Sequence, residues 1–96
     1  MAASAPQTVV FSIRGPIART DLLELCERVC SLLERSGAHL ALCDVSKAEP
    51  DAVTVDALAR LQLAARRRGC NTRLRGASSE LFALLAFMGL REVLPD

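Results

Sequence analysis

His39 is the only histidine in the chain, and Cys26, Cys30, Cys43 and Cys70 are its only thiols. A nucleophilic serine or cysteine needs a base within hydrogen-bond reach and a third group to orient that base. No Ser-His-Asp or Cys-His order is evident around His39. This histidine follows Gly37 at the entrance to an apolar run, which is where a strand-start residue keeps its ring at the rim. Cys26 and Cys30 lie one helical turn apart, a spacing that suits two metal ligands. Cys26 nevertheless falls on an apolar helical stripe and Cys43 inside an apolar run, and the paired short spacings of structural zinc sites are absent. The expectation is reduced cysteines packed in a core, with Cys70 the exposed one, and no catalytic residue, cofactor or metal. The chain is expected not to be an enzyme.

Arg66, Arg67 and Arg68, joined by Arg73 and Arg75, make the one local basic cluster. Nucleic-acid binding calls for a larger basic excess or interleaved aromatic residues. Here 12 Lys and Arg meet 11 Asp and Glu for a net charge of +1, and the aromatics are 3 Phe. The cluster reads as a solvated helix end beside a charge-guarded edge strand, or as a docking patch for an acidic protein. Gly15-Pro16 is too short for a phosphate-binding loop and has no lysine. No apolar run is long enough to cross a bilayer, and Met1 to Gln7 lacks the basic-then-apolar order of a signal peptide. Residues 1–7 are expected to be a disordered leader and residues 8–96 a single domain. The expected location is the cytoplasm, with no nucleic acid bound and no direct membrane insertion.

The elements that would position these residues follow from periodicity. Val9, Phe11 and Ile13 alternate with polar or exposed positions, which is a strand with one buried face, ended by Gly15-Pro16. Thr20 is placed to cap a helix with Asp21 in its first turn, and Leu22, Leu25, Cys26, Val29, Leu32 and Leu33 follow as an apolar stripe up to Gly37. Leu40 to Val45 is an apolar run broken only by Asp44, as in a parallel strand covered on both faces. Ser46 to Pro50 reads as a loop. Asp51 caps a second helix that runs to Arg68, stops at Gly69 and turns Val55, Leu58, Leu61 and Ala65 inward. Thr72 to Gly76 is a short edge strand. Ser78 caps a third helix with Leu81, Leu84, Leu85 and Met88 inward, and Gly89-Leu90 suits a Schellman ending. Val93 and Leu94 suit a terminal strand or packed tail. Strands alternating with helices imply right-handed crossovers and a mostly parallel sheet.

Order and spacing together resemble the STAS family (sulfate transporter and anti-sigma antagonist), from Val9 to the chain's last residues. Ile13-Arg14-Gly15-Pro16-Ile17 is similar to the family's opening strand and Gly-x-Leu/Ile turn. Leu42-Cys43-Asp44-Val45-Ser46 resembles the central strand ending in Asp-Leu-Ser. Asp51 stands where the family's Asp-Ser-Ser-Gly helix start begins, Arg68-Gly69 where that helix ends, and Met88-Gly89-Leu90 at the closing Gly-Leu pattern. The resemblance implies an α/β fold with a mixed, mostly parallel sheet of about four strands and helices packed mainly on one side. It also implies a bacterial partner-switching module, a monomer or weak dimer, that docks on an anti-sigma kinase of the GHKL type. In that scheme phosphorylation at the start of the second helix breaks the complex, because a phosphate adds nearly two charges inside an interface. Related stand-alone proteins instead serve lipid-type ABC transporters by binding the ATPase.

The sequence departs from that pattern at the switch itself. Counting back from Gly69 aligns Asp51-Ala52-Val53-Thr54-Val55 with Asp-Ser-Ser-Gly-Leu, so Val53 holds the usual phosphoacceptor position and has no hydroxyl. Thr54 follows one residue later, but a shift by one would rotate the apolar stripe by about 100 degrees. Ala18 stands where the family has an acidic residue. The expected partner-binding residues are Ser46, Asp51, Val53, Thr54 and Ala57. Thr54 is the one candidate for phosphorylation, with a helix-start role as its alternative, and Ser46 is equally a turn residue.

Overall fold

The computed structural model describes Thr8 to Met88. The expected leader, the Gly89-Leu90 ending and the Val93-Leu94 segment lie outside the described residues. Three strands, β1 (Thr8–Gly15), β2 (Leu40–Ala48) and β3 (Asn71–Arg75), alternate with three helices, α1 (Leu22–Ser36), α2 (Ala52–Arg67) and α3 (Ser79–Phe87). The strands form one sheet in the order β1-β2-β3, and both pairings are parallel. About four strands and a mixed sheet were expected; among the described residues there are three, all parallel.

The three helices pack on one face of this sheet. Their stripes, Val29 and Leu33 of α1, Val55, Leu58, Leu61 and Ala65 of α2, and Leu81 and Leu85 of α3, meet Ile13, Ala41, Cys43, Val45 and Leu74 from the strands. Each large aliphatic side chain buried in this way contributes about 1.5–3 kcal/mol relative to exposure. Met88, expected on the α3 stripe, is 47% exposed. It is the C-cap residue, one position past the last residue of α3.

Local chemistry explains most helix ends. Asp51 and Ser78 cap α2 and α3 by accepting the Thr54 and Leu81 N–H groups at 2.9 and 3.1 Å. Gly37 takes the left-handed conformation that stops α1, with φ +62°. Thr20 does not cap α1. A 3-10 turn over Arg19–Asp21 leads into that helix, its Asp21 N–H bonded to the Ala18 carbonyl at 2.8 Å, and Asp21 makes no side-chain cap.

The central strand differs from expectation in two ways. Its residues alternate, with Ala41, Cys43 and Val45 buried and Leu40, Leu42 and Asp44 only partly so, because helices cover one face and not both. It also continues through Ser46, Lys47 and Ala48, which were expected in a loop. The register shifts there: Ser12 pairs with Asp44 but Arg14 with Lys47, so Ile13 faces two residues of β2. Such a bulge reverses the parity of everything after it. Ala48 consequently packs toward the core while Ser46 and Lys47 are exposed.

Candidate functional site

The start of α2 follows from three residues. Pro50 favours extended backbone before it and cannot extend a helix backward from its own nitrogen. Asp51 is extended (φ −131°, ψ 173°), and its carboxylate accepts the Thr54 N–H while its carbonyl accepts the Val55 N–H at 3.1 Å. That carboxylate also stands at the positive end of the helix dipole. The first turn then splits into two sides. Ala52 is exposed and Val53 half-buried, whereas Thr54, Val55 and Ala57 are each 0% exposed.

Two of the five expected contact residues are thereby corrected. Thr54 and Ala57 face the core, because they lie four residues before Leu58 and Leu61 on the inward side of the helix. The Thr54 hydroxyl is buried and makes no hydrogen bond. A kinase has no access to a hydroxyl at that depth in this conformation, so the expected phosphorylation at Thr54 has no exposed acceptor. Asp51 and Val53 remain at the surface, where they were expected. Ser46 is exposed on β2 within the bulge, and its N–H donates to the Asp44 carboxylate at 2.9 Å. The structure thus brings Asp51 and Val53 together and places Ser46 on the sheet.

One turn beyond Val53, the structure adds a charged flank. Asp56 accepts from Arg60 at 2.8 Å, four residues on, and from Arg19 in the 3-10 turn at 3.1 Å. The Arg60 hydrogen bond is the main cause that holds the Asp56 carboxyl below its ordinary range, and Arg19 adds to it. All three groups are solvated, so their role is to fix side chains more than to stabilise the fold. The Asp56-Arg60 spacing was visible in the sequence as an i,i+4 pair. Arg19 lies 37 residues away from Asp56, and no local signal pointed to it.

Two cavities of about 270 and 160 Å³ open at the carboxyl ends of β1 and β2; they are lined by residues such as Arg14, Ile17, Asp21, Ser46 and Lys47, and neither includes Asp51 or Val53. His39 is exposed at the opposite end of β2, where its carbonyl accepts the Asn71 N–H at 2.9 Å. Cys70, expected to be exposed, is 2% exposed, because the Gly69 turn folds it under the end of α2. Burial pushes the Cys70 thiol up. Among the described residues no three His, Cys, Asp or Glu side chains stand close enough to share a metal ion. No described helix is long and apolar enough to cross a membrane.

No family model matches the chain, and no curated protein matches it. A solved structure does: a sulfate transporter family protein from Wolinella succinogenes superimposes with a TM-score of 0.75. The match covers 97% of this chain and 76% of that one at 23% identity. The likeness establishes a shared fold, which agrees with the STAS-type architecture expected from the order of elements. The activity and partners of that protein do not transfer at this identity.

Proposed function

We propose that this chain is a STAS-type regulatory module without enzymatic activity, whose α2 tip docks on a protein partner in the cytoplasm. The single observation that carries the reading is the exposed, capped helix start. Asp51 caps it, Ala52 and Val53 are presented to solvent, and the Arg19-Asp56-Arg60 group braces its flank. An apolar pair flanked by paired charges is suited to a small protein interface. The favoured partner is an anti-sigma kinase, which would make the chain an anti-sigma antagonist.

A second reading rests on Val53 and Thr54. Neither offers an accessible hydroxyl at the helix start, one for lack of oxygen and the other through burial. A constitutive subunit bound to the ATPase of a lipid-type ABC transporter needs no such switch.

The test is co-purification from the native host with wild-type chain and with Val53→Arg, a substitution at a half-exposed site that leaves the core intact. Recovery of a kinase by the wild type and its loss with Val53→Arg supports the first reading. Recovery and loss of a transporter ATPase supports the second. A partner retained equally by both proteins would remove the α2 tip from the interface.

A further inference from the structure

The face of the sheet turned away from the helices has its own pattern. Register places Val10 beside Leu42 and Arg73, and Ser12 beside Asp44 and Arg75; past the bulge, Arg14 stands opposite Lys47. Val10 is 54% exposed, and Leu40 and Leu42 are half-buried in the pleat. Arg14, Lys47, Arg73 and Arg75 are all exposed around this short apolar strip. Among the described residues the face holds one carboxylate, Asp44, which already accepts the Ser46 N–H and lies in the field of Arg75 and Arg14. Four cations therefore meet one anion here, while the rest of the described chain sets eight carboxylates against seven cations. The positive charge of the described residues is concentrated on the face that no described helix covers.

Parallel sheets are rarely left open, because each face offers an apolar surface that a helix can cover. We infer that this face docks an acidic amphipathic helix of a partner protein. The apolar stripe of that helix lies along Leu40, Leu42 and Val10, and its Asp and Glu flanks meet Arg14, Lys47, Arg73 and Arg75. A second copy of the chain would bring like charges face to face. An anionic bilayer matches the charge but gains little apolar contact, since Leu40 and Leu42 are recessed. This surface is separate from the α2 tip, and the inference stands whatever that tip binds.

The experiment is a titration of isotope-labelled protein with a synthetic helix of about five turns, carrying leucine on one stripe and glutamate on its flanks. The same helix with lysine flanks and phosphatidylglycerol vesicles serve as competitors. The expected result is amide shifts within Val10–Arg14, Leu40–Lys47 and Asn71–Arg75, and none across Ala52–Arg60. Affinity falls at least about tenfold as ionic strength rises from about 0.01 to about 1 M, where the Debye length shrinks from about 30 to about 3 Å. Arg73→Glu and Arg75→Glu each weaken binding about five- to tenfold, and melting curves confirm that the variants are folded. Because Arg75→Glu also sets a carboxylate beside Asp44, Arg73→Glu is the decisive variant. No binding, equal binding of the lysine-flanked helix, shifts centred on α2, or displacement of the peptide by vesicles would each overturn the inference.

Discussion

Cys43 and Asp44 are consecutive residues of one strand, and their acids move in opposite directions. Cys43 points under the helices, where burial pushes its thiol up to about 12. Asp44 points into solvent, where the Ser46 N–H, with Arg75 and Arg14 beyond it, holds its carboxyl below the ordinary 3.8. One peptide unit separates a site that suppresses charge from one that favours it. The two faces of the sheet differ in the same way along their length. Ile13, Ala41, Val45 and Leu74 line the covered side, and Ser12, Arg14, Arg73 and Arg75 the open side. Pleating explains the alternation, but coverage by α1, α2 and α3 is what gives it energetic weight.

The largest expected contrast is between Ile13→Ala and Val10→Ala. Ile13 is 2% exposed and its truncation leaves a core cavity, at a cost of about 2–5 kcal/mol. Val10→Ala on the open face is expected to stay within about 0.5 kcal/mol. Urea denaturation measures both, and similar losses would erase the distinction between the faces.

Next in size is Gly76→Ala, which probes how the two faces are held in phase. Gly76 has φ +75°, and an added Cβ would come within 2.9 Å of the Ser46 Cβ, in the bulge. The left-handed conformation alone costs a non-glycine residue about 1–2 kcal/mol, so thermal melting is expected to show at least that loss. A neutral result would mean that the β3–α3 turn is not pressed against β2.

Thiol chemistry sharpens the comparison more gently. Cys43 is expected to resist thiol reagents at mildly alkaline pH in the native protein, while the half-buried Cys26 and Cys30 react first, as read by mass spectrometry. Its folded pKa lies above the unfolded value of 9.0, so its contribution to stability is complete below 9.0 and is lost as pH rises toward about 12. Early modification of Cys43 would show that the covered face opens readily.

The smallest effect is at Asp44. Its folded pKa lies below the unfolded 3.8, so its contribution is present above 3.8 and lost as pH falls through the lower folded value. Asp44→Asn is expected to flatten that acid limb slightly by lowering stability a little near neutrality, where the contribution is present, and leaving it unchanged in acid. An acid limb unchanged by the substitution would show that Asp44 is not held by its neighbours.

Much of this was legible along the chain. The stripes of α1, α2 and α3, and the caps Asp51 and Ser78, rest on residues within a turn or two of one another. The placement of Thr54 was legible too, since its spacing to Leu58 and Leu61 puts it on the inward stripe, but its hydroxyl suggested a surface role. Thr20 misled because a 3-10 turn replaced the first turn of helix that it would have capped. The loop expected from Ser46 to Pro50 became strand because β1 pairs with Lys47 and Ala48 across a bulge. Arg19 at Asp56 was beyond any local pattern.

By itself, then, the amino-acid order determined where helices begin and end and which of their sides is apolar, since capping and 3.6-residue periodicity are short-range properties. Only the tertiary structure decided that β2 is covered on one face, that Cys70 is buried, and that Arg19 reaches Asp56. Those outcomes depend on which distant segments arrive alongside, and burial is a property of neighbours in space.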